Sequence, residues 1–426
     1  MKDKRRIRWI EWGKDLLILF LIASLIFLIG QTRLFGKAGE LFSGAAGERT
    51  DAAGGDAAAV PISPLRLAVY RDGLRWGVQY DQEAAESGFA AFSVLFAEAM
   101  SSAGAPEAVS EQVWRQALCS TGVYMDFYYP VPMEILAGWL GGDSEAQALR
   151  GSVRRICLAA DGDGGVSLYY ADVTDGAYYA CATTLSRSVH LDAAVEDWSP
   201  NGAQFAFEVA GMETLEPYTL LTAAPEPAVY AAGNPLMEAE GRLEELLSAL
   251  SFHSNSAALT AHGGGQLVEG NDSLRLWADG TVRFHTIGSA EHRFAIPGGD
   301  MQSALEYVQA LAQATAGAWC APAQLRLSEL SDDGEQMRIE FQYCLNGVPV
   351  RLPEGDCAAQ FTVSGGAVTD FSLCLRSFTD TGETSVVLPV VQAAAAMGSM
   401  DARGRELTLL YEDSGTEQII AGWIAG

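Results

Sequence analysis

SLRLWADGTVRFHT, residues Ser273–Thr286, reads as two strands turning back on each other at Asp279-Gly280. An Asp-Gly pair tolerates the left-handed backbone that a tight antiparallel turn needs, which is why it marks a hairpin. Working outward, the chain repeats this kind of unit. Glu238 to Leu250 has helical spacing just before it. Met301 to Thr315, with SALEYVQALAQAT at its centre, predicts the next helix. Strands follow at Leu325–Leu330 and Gln336–Leu345. Two more, Cys357–Val363 and Ala367–Arg376, flank Gly365-Gly366. A last helix over Val390–Met397 leads to a closing hairpin, ELTLLYEDSG and then EQIIAGWI. Helix followed by antiparallel strands thus occurs at 238–286 and at 301–376, with a shorter third copy from 390, the pattern of an internal repeat.

Upstream, Pro217, Pro225 and Pro227 interrupt the stretch Glu208–Ala232, and a domain boundary is expected there. The segment before it also reads as α+β. LRLAVYRDGLRW, residues 65–76, is a strand, a turn at Asp72-Gly73 and a strand. Glu83–Met100 and Val109–Leu118 look helical, with Phe89, Phe92, Leu95 and Phe96 on one side of the first. GVYMDFYYPVPMEILAGWLGG, residues 122–142, suggests a strand broken at Pro130 and Pro132, then a short helix holding Ile135, Leu136 and Trp139. Val153–Ala159 and Gly165–Ala171 form a hairpin across DGDG, and Ala177–Thr184 is a further strand. The expected fold class is therefore α+β, with antiparallel sheets and packed helices in two extracytoplasmic domains, 65–232 and 233–426.

The N-terminal end gives those domains their compartment. Lys2, Lys4, Arg5, Arg6 and Arg8 precede Trp9 and Trp12, and LLILFLIASLIFLIG, Leu16–Gly30, carries no charge and no proline. A span from about Trp12 to about Thr32 suffices for a bilayer if Lys14 snorkels. Basic residues stay on the cytoplasmic side, so the rest of the chain is exported. No small-residue cleavage motif follows closely, which favours an anchor over a cleaved signal peptide. Residues 1–35 are thus expected as cytoplasmic tail and single transmembrane anchor. Residues 36–64, rich in glycine and alanine, are expected as a flexible tether.

Charge narrows the partners. The chain holds 27 basic and 54 acidic side chains, for a net charge of −27, and no lysine follows Lys37. Such a surface repels nucleic acid, so no nucleic-acid partner is expected. Cys119, Cys157, Cys181, Cys320, Cys344, Cys357 and Cys374 show no CxxC spacing and read mainly as small buried hydrophobes. An odd count leaves at least one thiol unpaired in a monomer.

Catalytic patterns are missing. His190, His253, His262, His285 and His292 form no HExxH or HxH. GxSxG, GxxxxGK[ST] and a GxGxxG opening a helix are also absent. His262-Gly263-Gly264-Gly265 reads as a loop, and DGDGG lacks the later ligands of a calcium loop. No catalytic residue, metal or cofactor is expected, and the chain reads as a non-enzyme. The distinctive residues are aromatic and proline-rich. Tyr124, Phe127, Tyr128, Pro130 and Pro132 precede one helix, and Tyr343 and Pro349 flank a turn. They are the candidate interface.

Several of these stretches together resemble the YycH/YycI group of membrane-anchored regulators of Gram-positive bacteria. The resemblance runs from the basic tail and span at 2–30 through DFYYPVPMEIL at 126–136, SLRLWADGTVRF at 273–284 and FQYCLNGVPV at 341–350. It ends with LPVVQAAAAM at 388–397, LTLLYEDSG and the final AGWI. It implies a non-enzymatic, single-pass membrane protein that modulates an essential two-component sensor histidine kinase controlling cell-wall metabolism, together with a paralogous regulator. The contacts would run through the span and the outer domain. Leu17, Phe20, Leu21, Ser24, Leu25 and Leu28 then become candidate transmembrane contacts, small or polar residues such as Ser24 allowing close helix approach. The long Gly-Ala tether and the acidity depart from the group's pattern. The alternative is an extracytoplasmic binding or cell-envelope assembly module unrelated to a kinase.

Overall fold

Strand β1 (Arg66–Arg71) turns at Asp72-Gly73 into β2 (Leu74–Gln79), as the sequence predicts. The computed structural model describes residues 63–140, 149–253, 259–260, 264–288, 292–399, 404–415 and 418–425. The expected tail, anchor and nearly all of the tether lie outside them. Among the described residues no helix is long and apolar enough to cross a membrane.

Helix α1 (Gln82–Ser101) begins where the Asp81 side chain accepts the Ala84 N–H at 3.0 Å. Phe92, Leu95, Phe96, Ala99 and Met100 recur at three- and four-residue spacing and are buried. β3 (Glu107–Val109) and α2 (Glu111–Leu118) follow, α2 burying Trp114 completely. β4 (Gly122–Pro132), α3 (Met133–Trp139), β5 (Ser152–Ala160), β6 (Gly165–Asp172) and β7 (Tyr178–Ser186) complete the first half. These strands form one seven-stranded sheet in the order β2-β1-β4-β5-β6-β7-β3, and every pair is antiparallel. In the β5–β6 turn, the Asp161 carboxylate accepts the backbone N–H groups of Asp163 and Gly165. The acidic turn is thus held by its own side chain.

β8 (Ala228–Gly233) crosses the expected boundary at 232/233 and joins a small sheet with residues far along the chain. It lies between β17 (Ser377–Thr384) and Gln418–Ile419. Gln204–Phe205 and Leu220–Leu221 pair as a short ladder of their own. The longer strands that follow are β9 (Gly264–Glu269), β10 (Asp272–Leu276), β11 (Thr281–Thr286), β12 (Gln324–Asp332), β13 (Met337–Leu345), β14 (Val348–Arg351), β15 (Ala359–Ser364), β16 (Ala367–Cys374), β18 (Leu407–Glu412) and β19 (Ala421–Ala425). With Leu259–Thr260 these ten make an eleven-stranded sheet. Its order is Leu259–Thr260, β9, β10, β11, β16, β15, β13, β14, β18, β19, with β12 also on β13. Only the β14–β18 junction is parallel. β11 pairs with β16, which brings the strands expected at 273–286 beside those expected at 357–376.

The helix expected over Glu238–Leu250 is broken. The single turn Pro235–Glu238 ends at Ala239, and Gly241, at φ 89°, is the N-cap from which α4 (Arg242–Ala249) starts. Other residue types rarely adopt that backbone, so the break is written at the glycine. α5 (Met301–Ala314) is capped by Asp300 accepting the Ser303 N–H and buries Leu305, Val308 and Leu311. α6 (Val390–Ser399) precedes the closing strands.

Residues Ala58–Gly426 make one compact unit. A continuous apolar core runs through it, from Leu67 and Phe92 to Phe361 and Tyr411. Asn346-Gly347 docks the β13–β14 turn on the corner between β2 and α1. Both residues have positive φ, 48° and 79°, as a tight β13–β14 hairpin requires. The Asn346 side chain accepts the Gln82 N–H at 2.9 Å and donates to the Tyr80 carbonyl at 3.2 Å. A Cβ on Gly347 would sit 3.5 Å from the Tyr80 Cα.

Candidate interaction site

β4 carries the aromatic-proline stretch, and its pairing with β5 shows why that stretch stands out. Register shifts between Asp126 and Val131, so Phe127, Tyr128, Tyr129 and Pro130 form a bulge. Tyr128 sits at φ 69°, a left-handed conformation that is strained for a large side chain, and its N–H donates to the Asp126 carboxylate at 2.7 Å. Tyr128 and Tyr129 meet edge to face with ring centres 4.7 Å apart.

Beneath the bulge lies a buried charge network. Arg66 of β1 donates to Asp126 at 3.1 Å, to Thr408 at 3.1 Å, and to Glu406. Arg154 of β5 holds Asp126 through two bonds of 2.8 and 2.9 Å and Glu406 at 2.7 Å. Arg155 clamps Glu216 at 2.6 and 3.1 Å. It also lies 3.5 Å from Asp126 and 3.6 Å from Glu406. Arg66 and Arg154 both lie over the Tyr128 ring, at 5.3 and 5.2 Å from its centre.

These charges perturb one another strongly. Burial alone would raise the Asp126 carboxyl, but the guanidinium groups of Arg154, Arg66 and Arg155 outweigh it and hold it well below the usual range. Burial also works to raise Glu406, and Arg66 and Arg154 reverse that shift downward. Burial pushes the Tyr128 phenol up to about 12. Asp126 and Glu406 therefore stay ionised at neutral pH, each paired with arginine. The network couples the first sheet to residues just before β18, so it acts as a clasp rather than as acid–base chemistry.

An apolar strip lies at the other end of the chain. Val386 is 100% exposed, Val391 66%, Ile420 56% and Leu388 50%. The segments are adjacent: the Trp423 indole donates to the Leu388 carbonyl at 2.8 Å, and the Ala421 N–H donates to the Ser385 hydroxyl at 3.3 Å. Neighbouring exposed aliphatic side chains of this kind are what an interaction surface offers. LPVVQAAAAM carries no interface signal of its own in the sequence. Strand and helix periodicity could not show that 386–391 passes outside the core.

The other predicted interface residues lie at varied depth. Tyr124, Phe127 and Tyr343 are core residues, 3%, 4% and 0% exposed, and Pro349 is buried in β14. Tyr124 packs edge to face on Phe205, ring centres 5.0 Å apart. Tyr343 donates to the Ala316 and Cys374 carbonyls. Their large apolar surface is spent on packing, so they are corrected from contact residues to supports. Tyr128, Pro130 and Pro132 remain at least partly open. Leu17, Phe20, Leu21, Ser24, Leu25 and Leu28 lie outside the described residues.

The histidines of the described residues pair singly with carboxylates at the surface or stand apart from them. His253 lies 3.4 Å from Glu269 and His285 2.5 Å from Asp370, as separate surface pairs. Among the described residues no group of three or more His, Cys, Asp or Glu could hold a metal ion. All seven cysteines are free thiols, and burial pushes those of Cys157 and Cys344 up to about 12.

No known family model matches the chain, and no curated protein matches it. Among solved structures it is similar to YycH from Bacillus subtilis, with a TM-score of 0.52 and 10% identity over 88% of this chain and 99% of that one. At that identity the two share a fold, a mixed α+β arrangement of antiparallel sheets and helices. A dehydratase domain from the terminal module of the rifamycin polyketide synthase aligns at 14% identity over 66% of this chain and 95% of that one. Its TM-score is 0.13, and it carries no argument.

Proposed function

We propose that this chain, built on the fold of YycH, is a non-enzymatic regulator of a two-component sensor histidine kinase. It is anchored by one N-terminal span, with the bulk of the chain outside the cytoplasm. The observation that carries this reading is the likeness to YycH over nearly the whole of both chains, joined to the ordered motifs and the basic-then-apolar N-terminus of the sequence. The interacting groups we assign are the span residues Leu17, Phe20, Leu21, Ser24, Leu25 and Leu28, and outside the membrane the Tyr128 bulge and the strip around Val386. A paralogous regulator would share the same kinase. Regulation of this kind needs no cofactor. It needs only contacts that differ between two signalling states of the kinase.

The test is an in-cell crosslink and pull-down of the full chain, beside a variant whose span is replaced by an unrelated apolar helix. A histidine kinase recovered with the native span and lost with the replacement supports the reading. No kinase with either removes it and leaves the envelope-binding alternative in front.

A further inference from the structure

The eleven-stranded sheet has a second face, turned away from the core. Along β10 and β11, Leu274, Leu276, Val282 and Phe284 point inward and are buried. Ser273, Arg275, Arg283 and His285 alternate with them and point out. With residues of β15 and β16 they line a groove of about 470 Å³. That volume lies within the range of small-ligand sites, roughly 300–1,000 Å³.

Two arginines sit side by side there. Arg275 and Arg283 are direct cross-strand partners, an arrangement that pushes like charges together. Both guanidinium groups lie over the same indole, Trp277, at 4.6 and 5.4 Å from its centre. Neither has a carboxylate partner among the described residues. The chain carries twice as many acidic as basic side chains, 54 against 27. Elsewhere, Arg66, Arg154, Arg155, Arg293 and Arg376 all hold carboxylates. The single acid in the groove, Asp370, is taken by His285. The rest of the polar lining is neutral: Gln266, Ser273, Gln360, Thr362 and Ser372.

We propose that this groove binds a small phosphate monoester with a hydroxyl-bearing body, the phosphate between Arg275 and Arg283. One arginine satisfies a carboxylate through its two parallel donors. A phosphate offers three terminal oxygens and uses donors from both. The amide and hydroxyl side chains then face the hydroxyl groups of the body. This site is separate from the strip at Val386 and does not depend on the kinase reading.

The test is calorimetric titration of the full chain in mild detergent with glucose 6-phosphate, glycerol 3-phosphate and glucose. The same titrations are run on R275Q/R283Q. Both substitutions are exposed, and an unchanged melting temperature verifies the fold. The expected result is saturable binding of at least one phosphate ester and none of glucose, with affinity lowered at least about tenfold in the variant, the scale of one charged hydrogen bond. Binding of glucose equal to that of its phosphate would overturn the proposal. So would phosphate-ester binding that survives R275Q/R283Q, or no binding of either ester.

Discussion

The clasp at Asp126 and the groove at Arg275 are both built from arginines that strands of one sheet bring together, and they differ in what surrounds the charge. In the clasp, Arg66, Arg154 and Arg155 face Asp126, Glu406 and Glu216 inside the protein, each within hydrogen-bond reach of a carboxylate. In the groove, Arg275 and Arg283 face solvent and share only an indole. A buried pair is costly to break because the surviving partner is left charged and dry, whereas an exposed arginine stays hydrated whatever is done to its neighbour. The clasp is therefore expected to govern stability, and the groove to govern binding.

The sharpest way to break that comparison is to remove one charge from the clasp. Asp126→Ala should cost about 3–5 kcal/mol of stability, the usual penalty for orphaning a buried charge, read from urea unfolding. A loss below about 1 kcal/mol would show that the clasp is not what joins the sheets. By contrast, R275Q/R283Q should stay within about 0.5 kcal/mol of the parent.

Acid separates the two regions a second way. Asp126 and Glu406 are held below their unfolded values, so their stabilisation is present above the unfolded pKa values, roughly 4. It is lost as pH falls from there through the folded values. Melting temperature should fall steeply below about pH 4, and Glu406→Gln should flatten that dependence. An equally steep acid limb in Glu406→Gln would assign the acid sensitivity to other carboxylates.

Gly347→Ala tests the hairpin that docks on Tyr80. With φ at 79° the added methyl should cost about 1–2 kcal/mol in thermal or urea unfolding. An unchanged midpoint would mean the turn can relax without loss. The smallest stability effect is expected on the apolar strip. Val386→Asp with Ile420→Asp should change stability by less than about 0.5 kcal/mol, yet weaken recovery of the kinase in the crosslink. Unaltered recovery would remove the strip from the interface.

Much of the α+β layout was legible because it is written locally. Asp279-Gly280 and Asp72-Gly73 announce hairpins, and Phe92, Leu95 and Phe96 announce the buried side of α1. What escaped depends on distant partners. SFTDTGET forms β17 only because β8, some 150 residues earlier, offers it an edge, and its own polar residues give no strand pattern. The clasp escaped for the same reason: Arg66 and Glu406 are 340 positions apart, and no spacing rule pairs them. Tyr343 and Pro349 drew notice for their chemistry, but depth in the core is a property of packing, which residue type does not disclose. The prolines predict a break at Pro130 and Pro132, and the chain instead keeps β4 running to Pro132 through a bulge.

The most direct measurement of the central claim is the phosphorylation level of the cognate response regulator in cells. It would be compared in cells lacking this protein, in cells restored with the full chain, and in cells restored with V386D/I420D. The account predicts that loss of the protein shifts the phosphorylated fraction, that the full chain restores it, and that the variant, folded and present at equal amount, does not. A phosphorylated fraction unchanged by loss of the protein, for every two-component pair in the host, would contradict it.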